Sequence, residues 1–143
     1  MSQHKKVALL LTGNELMSGD TVDSNSSRIA IALGERQIAI SKKITVGDDQ
    51  ELLRESLRAL CQDAGVVIIN GGLGPTEDDL TADVVADVLG ERLTDHPKAI
   101  KHLEEWCEKR GLELNASNLK QALLPESADI VDNPIGSAVG FAV

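Results

Sequence analysis

At 143 residues and 42% hydrophobic content, the chain is long enough for one domain with a real core and has the composition of a globular protein. Lys and Arg total 14 against 23 Asp and Glu, giving a net charge of −9 and a pI near 4.7, and one Trp and one Phe are the only aromatics. That balance argues against nucleic acid, which needs a basic surface and stacking platforms; no apolar run approaches membrane-spanning length, and Val7–Leu11 after MSQHKK is too short for a signal peptide, so a cytoplasmic location is expected.

Val7–Leu11, between Lys5-Lys6 and Gly13, predicts a first buried strand. It feeds Thr12-Gly13-Asn14-Glu15-Leu16, a loop that runs through Gly19 to Asp23-Ser24-Asn25, whose side chains are natural helix caps. Ile29, Ala32 and Leu33 then give a helical face that ends at Gly34 and Glu35. Apolar Ile38, Ile40, Ile44 and Val46 around a polar centre predict a second strand over 38–46, nearer a sheet edge. Gly47-Asp48 closes it, Asp48 and Glu51 form a capping box, and Leu52, Leu53, Leu57 and Leu60 supply an amphipathic helix.

Four consecutive β-branched residues, Val66 to Ile69, predict a strand buried on both faces of a parallel sheet. Gly71, Gly72 and Gly74 release the backbone, and Leu80, Val84 and Val88 then recur at helical spacing. Thr76 is the expected N-cap, with Asp79 completing an acidic capping box and Pro75 setting the turn. Backbone amides at such a loop and helix start converge on one spot, where the helix dipole favours an anion. Glu77, Asp78 and Asp79 put three carboxylates into the same turn, where they would repel a phosphate. Either they only cap the helix, or a divalent cation, which takes one or two carboxylates plus phosphate oxygens, resolves the conflict.

Asp95-His96-Pro97 starts a further helix with Ile100, Leu103 and Cys107 on one face, Gly111 as terminator and Glu105–Lys109 as a surface pair. Asn115 to Asn118 opens a short helix through Ala122, which Leu123–Pro125 breaks. Ile130-Val131 and Ala138–Val143 are brief strands joined by the turn Asn133-Pro134-Ile135-Gly136. The last strand stops at the chain end, so its edge and Phe141 are expected to be poorly ordered or buried against another copy. Cys61 and Cys107 lack a CxxC or paired-His pattern and read as structural thiols. His4, His96 and His102 have no partner at metal or triad spacing and read as surface or capping residues. Neither GxSxG nor GK[ST] occurs.

Alternating strands and helices predict the α/β class, a three-layer α/β/α arrangement around a mostly parallel sheet with right-handed connections. Ligands of such folds sit outside the carboxyl ends of the strands. The loops at Gly13-Asn14-Glu15, Gly47-Asp48 and Gly71–Asp79 all follow strands and are expected on that edge, where Glu15 would meet Asp78 and Asp79. Glu15 reads as a metal ligand or general base, or as a plain loop acid; one of Asp78 and Asp79 takes the metal role and the other caps. Lys120 either neutralises a phosphate or is solvated.

The run Gly71 to Thr81, GGLGPTEDDLT, resembles the signature of the CinA N-terminal domain, a branch of the fold shared with the molybdopterin-handling proteins MogA, MoaB and MoeA. Gly13-Asn14-Glu15-Leu16 with Gly19 is similar to the family's GTEL…G loop, and Asp23-Ser24-Asn25 to its [DN]-[ST]-N helix start. Val46-Gly47-Asp48 is similar to VGD, Asn118 with Lys120, Gln121 and Ala122 to NxKQA, and Asn133-Pro134-Ile135-Gly136 to NPxG. The similarity runs from Val7 to Val143, and GGLGPT rather than GGTG favours the CinA branch. Asn14 stands for the usual Thr, Ser137 for the Thr of NPxGT, and Val139 where Pro is frequent.

The resemblance implies a single molybdopterin-binding-protein-like domain over residues 1–143, truncated at its C-terminus before a further strand and an LPGPP loop. It implies a metal-dependent nucleotide pyrophosphatase cleaving ADP-ribose to AMP and ribose 5-phosphate, with a nicotinamide-mononucleotide deamidase domain following in full-length relatives. The implied catalytic and metal residues are Glu15, Asp78 and Asp79. Gly13, Asn14, Asp48, Gly71, Gly72, Leu73, Gly74, Pro75, Thr76, Lys120, Asn133 and Gly136 are the implied phosphate and nucleotide contacts. A divalent metal ion, with a monovalent cation beside it, a small-molecule nucleotide and a homo-oligomer of two or three chains complete the expectation, without nucleic acid or membrane. The alternatives are a molybdopterin-binding or adenylyltransferase protein and a non-catalytic nucleotide-binding remnant.

Overall fold

A computed structural model describes residues 6–143; His4 lies outside them. The chain forms two compact units, Met1–Gly71 and Gly72–Val143.

The first unit is built on β1 (Val7–Thr12), every residue of which is buried. It lies between β2 (Ile40–Val46) and β3 (Val66–Asn70) in a parallel sheet of order β2-β1-β3. Burial on both faces therefore belongs to β1; β3 is an edge strand of this sheet, half-buried along most of its length, with Val66 44% exposed. The β1–β2 register slips between Val7 and Ala8, and the Ser41 hydroxyl there donates to the Val7 carbonyl at 3.0 Å. Two helices follow β1. The short α1 (Asn14–Ser18) forms where only a loop was expected, and α2 (Asn25–Gly34) starts at the predicted caps. Its capping carboxylate is Asp23, which accepts from the Ser26 amide at 3.0 Å and from the Ser26 hydroxyl.

Helix α3 (Gln50–Asp63) buries Leu53, Leu57 and Leu60 against the sheet and leaves Leu52 half exposed. Its N-cap is Asp49, which accepts from Leu52 N at 2.9 Å, rather than the expected Asp48. Asp48 instead bonds the loop after β1.

The second unit opens with the glycine loop and α4, which spans Thr81–Leu89 and not the turn from Thr76. The Thr81 amide donates to the Gly72 carbonyl at 3.1 Å, so the loop closes on the helix start. Strands β4 (Leu93–Asp95) and β5 (Leu123–Pro125) pair antiparallel. Neither was predicted: Leu123–Pro125 was read only as the break after a helix, and Leu93–Asp95 is too short to show an alternation. Between them lie α5 (Pro97–Glu108), α6 (Ala116–Leu119) and a 3₁₀ turn at Lys120–Ala122. Glu105 pairs with Lys101 at 3.8 Å instead of with Lys109.

The two brief strands expected at Ile130-Val131 and Ala138–Val143 are β6 (Asp129–Val131) and a shorter β7 (Gly140–Ala142), and they pair antiparallel. Phe141 sits opposite Ile130 and packs on the core of Ala99, Leu103, Ala122, Leu124, Ala128 and Val139. Phe141 is therefore not left loose: the short pairing with β6 gives the ring a partly buried place within its own unit. Cys61 and Cys107 are free thiols on α3 and α5, the first exposed and the second buried. Among the described residues no helix is long and apolar enough to cross a membrane.

Candidate functional site

In the first unit the three strands run parallel, so their carboxyl ends share an edge. Gly13, Gly47-Asp48 and Gly71 leave from that edge, as the alternation predicted. Asn14 and Asp48 bind reciprocally: the Asn14 amide donates to Asp48 Oδ2 at 3.1 Å, and the Asp48 amide to Asn14 Oδ1 at 2.9 Å. The Thr12 hydroxyl adds contacts to the Gly47 carbonyl and Asp48 Oδ1 at 3.3 and 3.4 Å. Asn at position 14 supplies the acceptor that reaches the Asp48 amide.

Glu15 is exposed on α1, and its carboxylate folds back over Gly13. A Cβ on Gly13 would lie 2.6 Å from Glu15 Oε1, a contact the exposed carboxylate can relieve by turning away, so it is the backbone, with φ 151°, that favours glycine there.

In the second unit, Gly72 to Leu80 form a loop held from three sides. Asp79 Oδ2 accepts from the Thr76 amide at 2.9 Å and the Thr76 hydroxyl at 2.7 Å, while the Asp79 amide donates to the Thr76 carbonyl at 3.2 Å. The bond between the two predicted capping partners exists, but it closes one isolated turn. Glu77, Asp78 and Asp79 thus precede the helix, and Asp83 is the acid of its first turn. Burial pushes the Asp79 pKa up, and the bonds from the Thr76 hydroxyl, the Thr76 amide and the Gly74 amide, with the charge of Lys120, bring it net below the ordinary aspartate range. A side chain at Gly74 would strike this carboxylate, since its Cβ would fall 2.6 Å from Asp79 Oδ2.

Lys120 closes the second side. Its Nζ donates to the Thr76 carbonyl and, at 2.5 Å, to the Asp79 carbonyl. Two of its three N–H donors therefore hold the loop. Gln121 closes the third: its Nε2 donates to the Leu73 carbonyl at 3.4 Å and to the Ser137 hydroxyl at 3.0 Å.

Asn133 shapes the next loop by accepting from the Ile135 and Gly136 amides at 3.2 Å and donating to the Ala138 carbonyl at 2.7 Å. His102 donates from Nε2 to the Gly136 carbonyl at 2.9 Å, so it anchors a loop rather than standing on the surface; His96 likewise reaches the Ala128 carbonyl at 3.2 Å. Arg110 stacks over Trp106 at 4.2 Å and donates to the Ile135 carbonyl at 3.5 Å.

A cavity of about 60 Å³ lies within this unit, lined in part by Gly72, Leu73, Gly74, Asp79, Lys120 and Gln121. The second unit thus gathers Gly72, Leu73, Gly74, Asp79 and Lys120 of the expected contacts, while Gly13, Asn14, Glu15, Asp48 and Gly71 belong to the first unit. Pro75 and Thr76 belong to the held turn, and Asn133 and Gly136 to a loop tied to α5. Gln121 and Ser137 were noted only as motif positions and Asp83 not at all; a glutamine in KQA carries no spacing signal, and only its burial reveals it.

Residues 8–143 match the family model described as "Probable molybdopterin binding domain". A crystal structure of CinA from Thermoplasma acidophilum is 30% identical to the chain and superposes with a TM-score of 0.87 over 98% of this chain and 82% of that one. The chain belongs to the CinA-like branch of this family. The CinA-like domain is 52% identical over 138 residues to a CinA-like protein of Colwellia psychrerythraea. It is 42% identical over 138 residues to a Shewanella oneidensis protein named Nicotinamide-nucleotide amidohydrolase PncC. Each match takes in 96% of the chain and 32% of the relative, so the CinA-like domain spans about a third of the length of these curated relatives. MoaB from Thermus thermophilus, 15% identical with a TM-score of 0.60 over 96% of this chain and 79% of that one, shares the fold.

Proposed function

We propose that the CinA-like domain hydrolyses the diphosphate linkage of a nucleotide, ADP-ribose to AMP and ribose 5-phosphate, with a divalent metal ion. The observation that carries the reading is the clamped turn: Asp79 and Lys120 fix Thr76–Asp79 from both ends and leave the carboxylates of Glu77 and Asp78 exposed between them. A rigid turn holding an exposed carboxylate beside a cavity is a place to position charge, whereas a simple helix cap needs no second clamp.

Among the described residues no group of three or more His, Cys, Asp or Glu side chains is placed to hold a metal ion. The acids of the turn suit a hard cation of the magnesium type, which takes one or two carboxylates and completes its shell with phosphate oxygens and water. Asp78 is the ligand we assign in this unit; Asp79, already bonded by Thr76, orients the turn, and Glu15 is the acid assigned in the first unit. Such an ion, when bound, offsets charge on a diphosphate and makes water a better nucleophile. The chain's own contribution is to keep the turn fixed, so that little reorganisation accompanies the reaction.

The amidohydrolase named for the S. oneidensis relative is also a hydrolase of a nucleotide, and a molybdopterin-binding or adenylyltransferase role follows from the family description. A screen of purified protein against ADP-ribose, nicotinamide mononucleotide and molybdopterin with ATP, each with magnesium, manganese and chelator, separates these readings. Metal-dependent release of AMP from ADP-ribose is the expected result. Adenylylation of molybdopterin, or ADP-ribose binding without product at saturating metal, would replace it with the transferase or the binding-only reading.

A further inference from the structure

Helix α2 is apolar on more sides than the chain covers. Ile29 to Leu33, IAIAL, are apolar without a break, which puts apolar side chains all around the helix. With about 3.6 residues per turn, Ser26, Ile29 and Leu33 share one face, and they are the residues of α2 that are buried or half-buried. Arg28, Ile31 and Glu35 share the opposite face, and all three are exposed, Ile31 by 65%. Val22, 84% exposed, precedes the helix, and Ile38, 37% exposed, follows it. A single exposed isoleucine needs no explanation, but a helix that is apolar all round is ordinarily covered all round.

The charges of the outer face say what fits it. Neither Arg28 nor Glu35 has a side-chain hydrogen bond or ion pair among the described residues, whereas Arg36 is taken by the Ala32 carbonyl at 2.8 Å. At about 1.5 Å of rise per residue, Arg28 and Glu35 stand about 10 Å apart along the axis, too far to pair with each other. An antiparallel copy of the same helix matches both charges at once. A two-fold axis near Ile31 sets each Arg28 against the partner's Glu35, and a patch that is complementary to itself is what a two-fold dimer requires. The two Ile31 side chains then meet at the centre, and the exposed Ser27 and Gly34 beside them add little bulk. The overall charge does not oppose this face. Met1–Gly71 holds 8 Lys and Arg against 9 Asp and Glu, a net of −1, so −8 of the chain's −9 belongs to the second unit.

We infer that the outer face of α2 docks on the same face of a second copy of this chain, antiparallel about a two-fold axis near Ile31. The inference is independent of the nucleotide-hydrolase reading. A ten-residue helix with its flanks is a small interface, so the association is weak and reversible.

Sedimentation equilibrium of the full chain between about 5 µM and about 200 µM tests it. The mass should rise from 15.2 kDa toward twice that value. Arg28→Glu and Glu35→Arg should each weaken the dimer by about tenfold, because each sets like charges opposite one another at both ends. An equimolar mixture of the two variants should restore it, since every facing pair in the mixed dimer is again of opposite sign. Ile31→Lys, which keeps a good helix former on an exposed face, should remove the association while circular dichroism stays unchanged. Should that variant lose helix, the two charge variants and their mixture decide. A mass of 15.2 kDa at every concentration would overturn the inference. So would association that survives a folded Ile31→Lys or ignores both charge reversals, or a mixture that stays as weak as either variant alone.

Discussion

Asp78 and Asp79 are neighbours with different environments. Asp79 is an internal acceptor for the Thr76 amide and hydroxyl, whereas Asp78 is exposed. Asp78→Asn should therefore cut ADP-ribose turnover on the order of a hundredfold, the scale of losing one charge-stabilising group, while leaving the fold intact. Asp79→Asn keeps an acceptor for Thr76 and should lose less. Steady-state kinetics in metal-buffered solution with circular dichroism on both variants checks the order; unchanged rates in both would return these acids to turn capping. Acid sensitivity follows from the same bonds. Asp79 is held below the ordinary value near 3.8 as described, and Asp23 is held below it by the Ser26 hydroxyl and amide and, more weakly, by Lys43. With folded pKa values below unfolded ones, the stabilisation is complete above the unfolded value and is lost as pH falls through the folded values. Urea midpoints should be flat above about pH 5 and fall below about pH 4, and Asp23→Asn should flatten that fall.

At the scale of elements, the clamp on the glycine loop makes a separable prediction. Lys120→Met removes both bonds to the Thr76 and Asp79 carbonyls while keeping much of the aliphatic stem. Hydrogen exchange should then accelerate at the loop amides of Thr76 and Asp79 and stay unchanged in α5, whose packing through Leu103 does not involve the lysine. Exchange that rises equally in both would mean that Lys120 supports the whole unit. These elements also show what the sequence could reveal. Leu53, Leu57 and Leu60 announce α3 because their spacing repeats, and Val7–Thr12 announces β1 because the run is unbroken. The burial of β3 was misjudged because β-branched runs look alike at the edge and the centre of a sheet. The start of α4 was placed at Thr76 because a capping pair is a local signal that can close a single turn as well as open a helix. Within the site, the acids and glycines were legible from composition, but the commitment of Lys120 and the burial of Gln121 depend on contacts made more than forty residues away.

For the molecule as a whole, a net charge of −9 opposes the approach of any anionic substrate. Raising salt from about 10 mM to about 150 mM shortens the screening length from about 30 Å to about 8 Å. The kcat/KM for ADP-ribose should therefore rise with salt at fixed free metal; a steep fall would point to a local basic attraction that outweighs the overall charge. The resemblance also leads us to expect self-association. Exposed Val22, Ile31 and Ile135, at 84%, 65% and 82%, are apolar surface that it could cover. Sedimentation velocity at roughly tens of micromolar checks this against the −9 repulsion, and a single sharp monomer boundary would count against it.

The wholly buried β1 has a consequence for how the polypeptide is made. It leaves the ribosome before either of its partners, yet its hydrogen-bonding edges are filled by Ile40–Val46 and then by Val66–Asn70. At about 5–20 residues per second of synthesis, the VALLLT segment waits several seconds for its second partner. During that interval it is an apolar strand with an open edge, the kind of segment that misassociates or is captured by a chaperone, so the delay between translation and sheet closure is the chain's vulnerable period.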